Sequence, residues 1–254
     1  MARALIVILI AVLSSSSFAV ESAEESFKPL TIRYRERAPY LVKRFGEMSG
    51  DCGDIVRKAL KKAKLDHQVV ETPFFRQMAN FQTGDAQECS VAWLKTSERE
   101  TYLKFSEPIC EDGPWVVVGH RGTVDTAMNS AEALLKKPEL KVLRRAQFSF
   151  GERLDDLIEK NKTTVIEIEN SELKQLFDMI QAGRADYTFL PEREFSVLVR
   201  KFKLSDKDFV VLKPDDLKGA HTRYMICSRN VPDAVIKKFN KAVSSMNLGL
   251  TESQ

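Results

Sequence analysis

The chain has 254 residues, 43% hydrophobic and 30% charged, with 39 basic against 36 acidic side chains. A formal charge of +3 is too mild to draw a polynucleotide or a membrane surface, so no nucleic-acid partner is expected. The length suits one large domain or two small ones of roughly 100–150 residues each.

Met1 to Ala19 has the form of an export signal. Arg3 gives the positive start, Ala4 to Leu13 is unbroken apolar, and small residues at Ser17 and Ala19 fit the cleavage rule, with Ala23 as a second choice. The apolar run is half of the roughly 20 residues that a membrane span needs. An exported, periplasmic protein cleaved near Ala19 is therefore expected. Removing Arg3 with the leader leaves 38 basic residues against 36 acidic, or +2. Cys52, Cys89, Cys110 and Cys227 make an even count suited to an oxidising compartment. Their spacing admits three pairings, and free buried thiols are the alternative. His67, His120 and His221 lie far apart, and no Cys-x-x-Cys or phosphate-binding glycine loop is readable, so neither metal nor cofactor is expected.

Leu30 to Tyr34 alternates as a half-buried strand. After Ala38-Pro39-Tyr40 and a polar loop, Phe45 to Gly53, the apolar residues from Asp54 to Lys64 recur at helical spacing. Gln68 to Glu71 reads as a strand, Phe74 to Thr83 as a helix stopped by Gly84, and Ser90 to Leu94 as a third strand. This alternation predicts a parallel α/β sheet, with a ligand crevice at the carboxyl ends of its strands. Tyr40, Phe74 and Arg99 fall at such ends. Arg76 projects from the start of the second helix. At its strand end Arg99 offers a fork shaped for a carboxylate; the alternative for Arg99 is an ion pair with Glu98, Glu100 or Glu107.

Alternation restarts at Trp115 to Gly119. A helix is expected near Ser130 to Lys136, a strand at Lys141 to Arg144, a helix from Phe150 or Gly151 to Lys160 and a strand at Val165 to Ile168. A helix at Ser171 to Ala182, a strand at Asp186 to Leu190, a strand at Tyr224 to Ser228 and a helix at Pro232 to Met246 complete the chain. Ser149 and Glu152 have Ser-x-x-Glu spacing, which predicts a capping box, and a helix start with free amides attracts anions.

Thr96-x-x-Arg99 followed by Lys104-Phe105-Ser106-x-Pro108 resembles the signature of polar-amino-acid-type periplasmic solute-binding proteins of ABC importers, solute-binding family three. Ala182-Gly183-Arg184-Ala185-Asp186 is similar to that family's Ala-Gly-Arg-x-Asp turn. The resemblance spans roughly Leu30 to Met246. It implies a type II two-lobed fold: residues 20–112 and 219–254 form a discontinuous first lobe, 113–218 the second, with hinge crossings near 111–114 and 218–221. It also implies that Arg99 grips a ligand carboxylate with help from Ser149, and that Tyr40 and Phe74 pack on the ligand. The chain departs from the family where an aspartate would hold the ligand's ammonium. Pro191 stands there with Glu192 beside it, which is expected to pair with a cationic group of the ligand, and Ala92 and Leu94 replace hydroxyl residues. The expected function is capture of a small carboxylate-bearing solute by a monomer serving an ABC permease and ATPase or a membrane sensor. The alternatives are a dehydratase-like enzyme with Glu192 as its acid, and a partner-binding module.

Overall fold

Two five-stranded sheets organise the chain. A computed structural model describes residues 29–84, 86–169, 173–205 and 207–250. The expected leader, 1–19, lies outside them.

The first sheet begins with β1 (Leu30–Tyr34). A small hairpin, β2 (Val42–Arg44) with β3 (Glu47–Ser49), leads into α1 (Asp51–Lys62). Then come β4 (His67–Glu71), α2 (Phe74–Thr83), β5 (Glu88–Trp93), the one-turn helix α3 (Ser97–Glu100) and the long β6 (Leu103–Glu111). The chain crosses to β7 (Trp115–His120), α4 (Ala131–Leu135), β8 (Lys141–Arg145), α5 (Glu152–Lys160), β9 (Thr164–Ile168), α6 (Leu173–Gln181), β10 (Tyr187–Pro191), α7 (Glu192–Phe202) and β11 (Phe209–Leu212). It returns through β12 (Thr222–Ser228) to α8 (Asp233–Ser244).

Sheet order is β4-β1-β5-β12-β6 in the first lobe and β11-β7-β10-β8-β9 in the second. The returning β12 is inserted antiparallel between β5 and β6, and β7 runs antiparallel to both β10 and β11. The parallel sheet expected from alternation holds for β4, β1 and β5, but each sheet as a whole is mixed. The signal missed was entry from the crossings: β7 and β12 begin at the seam, where the parallel strands end, so each runs against its neighbours. The hairpin β2–β3, the helix α7 and the strand β11 were also not anticipated. The hairpin lies in the polar, glycine-bearing loop, and α7 starts with no break after β10.

The first core packs α1 and α8 on the sheet through Val56, Leu60, Ile236 and Phe239. Both disulfides lie here, Cys52–Cys110 and Cys89–Cys227. In the second sheet successive residues of β7 serve opposite cores, as strand periodicity requires. Val117 joins Leu134, Val142 and Phe189 on one face, while Val116 and Val118 join Leu143, Phe177 and Ile180 on the other. The parallel strands β1, β5 and β8 bring their carboxyl ends to the seam between the lobes, where the candidate site lies.

Candidate functional site

The seam is walled by arginine and aromatic side chains. It holds two small adjoining cavities of about 40 and 30 Å³. Arg35, Arg37, Phe148, Ser149 and Arg223 line both. Arg145, Pro191 and Glu194 add to the first cavity; Phe74, Trp93 and Arg99 add to the second.

Arg35 and Arg37 follow β1 directly, so the strand end aims them at the other lobe. The Arg37 guanidinium grips Glu194 of α7 through both carboxylate oxygens, with Nη2 donating to Oε2 at 2.6 Å. Both side chains are buried, which makes this a charge pair across the lobes. Arg223, on β12, donates to Asp112 from Nε at 2.8 Å and also from Nη2. The other oxygen of Asp112 accepts Trp115 Nε1 at 3.1 Å and the His221 amide at 3.0 Å. Asp112 thus ties the outgoing and returning crossings together. His221 stacks on Trp115, and burial holds its pKa below the ordinary value despite the nearby Asp112. Gly151, at φ 100°, passes so close that an added Cβ would lie 2.9 Å from the His221 ring.

Arg99 does not project from a strand tip, as the sequence suggested; it sits on α3, whose start is capped by Thr96 Oγ1 accepting from the Arg99 amide. Its guanidinium is buried over the Trp93 ring and donates to Leu94 O at 2.9 Å and Gln147 O at 3.3 Å. The bond to Gln147 reaches the second lobe. Burial lowers the Arg99 pKa, and among the described residues its guanidinium bonds carbonyl oxygens and none of the carboxylates of Glu98, Glu100 and Glu107.

Ser149 lines both cavities, but not as a capping box. Its hydroxyl donates to Asp155 Oδ2 at 2.5 Å and accepts the Gly151 amide at 2.9 Å, while Asp155 also takes the Phe150 amide. Glu152 instead accepts from Ser97 across the lobes. Asp155, the next acid along the helix, takes the place that the spacing had given to Glu152.

Phe74 lies in the cleft, stacked on Trp93 at 5.2 Å and 4.6 Å from Phe148 of the other lobe. Tyr40 is fully buried beneath the cleft, its hydroxyl donating to Asp112 O at 2.7 Å, and it lines neither cavity. Arg76 points to solvent, and Glu192 forms an exposed-side ion pair with Lys213 at 2.6 Å. The structure therefore brings Arg99, Ser149 and Phe74 together, and sets Tyr40, Arg76 and Glu192 outside the cavities.

Sequence reasoning missed Arg35, Arg37, Arg145, Glu194 and Arg223. The first three were within reach, because each sits at or just past the carboxyl end of a strand. Among the described residues, no group of three or more His, Cys, Asp or Glu side chains could hold a metal, and no helix is long and apolar enough to cross a membrane.

No family model matches this sequence, and no curated protein matches it. Solved structures do. An ancestral arginine-binding protein bound to arginine is 18% identical, with a TM-score of 0.65 over 86% of this chain and 92% of that one. The arginine-, lysine-, histidine-binding protein ArtJ from Geobacillus stearothermophilus is 17% identical, with a TM-score of 0.65 over 86% and 89%. The GluR0 ligand-binding core from Nostoc punctiforme, in complex with L-glutamate, is 16% identical, with a TM-score of 0.62 over 87% and 94%. These neighbours are binding proteins, and at such identities the likeness carries architecture. The chain has the two-lobed fold of periplasmic solute-binding proteins.

Proposed function

We propose that this protein captures a small carboxylate-bearing solute between its lobes and closes around it. The observation that carries the reading is the set of buried guanidinia, contributed by both lobes, around a small cleft at the carboxyl ends of the strands. An arginine fork meets a carboxylate through parallel charge-assisted hydrogen bonds. A ligand touching both lobes stabilises the closed arrangement over the open one, so binding drives the hinge. The moving unit is residues 113–218, turning on the crossings near 111–114 and 218–221, and Asp112 with Arg223 anchors that hinge.

In this reading Arg99 and Ser149 hold one end of the solute, and Phe74 covers its apolar part. Tyr40 supports the hinge through Asp112. The leader at Met1–Ala19 directs export to the periplasm, where the chain acts as a monomer. An ABC permease and ATPase, or a membrane sensor, then receives the closed complex. The structural neighbours that bind amino acids support a role in binding over catalysis.

Mass spectrometry of small molecules released by denaturing the purified protein tests this. The expected result is a carboxylic acid approaching one equivalent per chain. A purified protein that releases no acid, and whose melting temperature responds to none, would contradict it.

A further inference from the structure

Buried charge in the cleft does not balance. Arg37 is matched by Glu194, and Arg223 by Asp112. Arg99 is held by two carbonyl oxygens. Arg35 and Arg145 remain. Among the described residues neither side chain makes a hydrogen bond or an ion pair, and Arg145 is 8% exposed with its Nε buried and unpartnered.

They come from opposite lobes, Arg35 after β1 and Arg145 at the end of β8, and they share the same aromatic rings. The Phe148 centroid lies 4.9 Å from the Arg35 guanidinium and 4.3 Å from that of Arg145; for Phe74 the distances are 5.6 and 5.8 Å. Ring faces attract cations only modestly, and two unpaired like charges in one closed cleft repel each other. Burial and the neighbouring Arg145 and Arg37 push the Arg35 pKa well down; burial brings Arg145 to about 10, still a cation at neutral pH. Anions seated here would compensate both.

Among the described residues the cleft offers no matching place for a cation. Glu194 is taken at both oxygens by Arg37. Asp112 is taken by Arg223 on one side and by Trp115 and His221 on the other. Pro191 supplies no charge, and Glu192 is turned to Lys213. An α-ammonium group would enter beside free guanidinia with no carboxylate left to receive it.

We infer that the ligand is a short dicarboxylate without an ammonium group, one carboxylate facing Arg145 and Arg35 in the first cavity and the other facing Arg99 and Arg35 in the second. Each cavity, at about 40 and 30 Å³, exceeds the roughly 10–15 Å³ needed to admit a water-sized polar group beside these guanidinia. The inference rests on the solute-binding reading and narrows it.

Calorimetric titration of the dialysed protein with glutarate, L-glutamate, L-arginine and inorganic phosphate tests it. Glutarate and L-glutamate share a carbon skeleton and differ by the ammonium group. Glutarate is expected to bind at least about tenfold more tightly than L-glutamate, with L-arginine and phosphate weaker still. Arg145→Met should lose about tenfold or more for glutarate while the melting temperature of the unliganded protein holds or rises. Arg35→Met gives the same test should the first variant fail to fold. Tighter binding of L-glutamate or L-arginine overturns the dicarboxylate assignment and leaves solute binding standing. Phosphate binding as tightly as glutarate overturns the two-cavity arrangement. No binding by any of the four, with an unliganded melting temperature that falls in both variants, overturns both readings.

Discussion

The two lobes have sheets of equal strand number but are secured by different means. The first is made from two separated pieces of chain and carries both disulfides. Cys89–Cys227 joins β5 to β12 across 138 residues, and Cys52–Cys110 joins α1 to β6 across 58. The second lobe is one continuous run, has no disulfide, and sandwiches its sheet between two apolar clusters. The difference follows from loop closure. Bringing the returning strand back across the whole second lobe costs chain entropy that a cross-link removes from the unfolded state, whereas a continuous unit closes through short connections.

Removing the longer cross-link should break the comparison most strongly. Cys89→Ala with Cys227→Ala is expected to destabilise the first lobe by roughly 4–5 kcal/mol on the chain-entropy account. Trp93 reports on the first lobe and Trp115 on the second, so single-tryptophan variants in a urea titration should show the Trp93 transition moving far earlier than that of Trp115. Coincident movement of both would mean that the lobes unfold as one unit.

The converse change belongs in the second lobe. Phe177 is fully buried among Phe195, Phe202 and Phe209. Phe177→Ala should cost about 3–4 kcal/mol and move the Trp115 transition while sparing that of Trp93. The bond between the lobes comes next. Glu194→Ala strands the Arg37 charge in the closed cleft at a cost of roughly 3 kcal/mol. Opening lets water reach Arg37, so small-angle scattering should show a larger radius of gyration with little change in urea midpoint. An unchanged radius would mean that Arg37–Glu194 does not hold the lobes shut.

The smallest effect concerns His221 at the returning crossing. Its folded pKa is depressed, so the unfolded chain takes up the proton first as pH falls through about 6.5. Stability from this group is complete above that pH and is lost on acidification toward the folded pKa. His221→Phe, which keeps the stacking on Trp115, should therefore lose less melting temperature than wild type between pH 7.5 and 5. Equal losses would place the acid sensitivity elsewhere.

Most of the fold was legible because strand and helix periods are local. Phe74–Thr83 runs to Gly84 as expected, and Gly84 takes the left-handed conformation that ends the helix. What escaped was set by tertiary context. The hairpin β2–β3 has no apolar period, and Glu194, though it opens a helix after Pro191, gains its importance only from Arg37 across the cleft. The site was legible in part for the same reason. Arg99 and Phe74 are marked by motif and position, but the partners that neutralise Arg37 and Arg223, leaving Arg35 and Arg145 uncompensated, are 157 and 111 residues away in sequence.

The central claim is that guanidinia from both lobes hold an acid in the cleft. Native mass spectrometry of the wild type and of Arg35→Met with Arg145→Met, purified side by side, tests it most directly. The wild type should carry one acidic small molecule per chain, with the adduct reduced at least about tenfold in the double variant; equal adducts in the two proteins would contradict the claim.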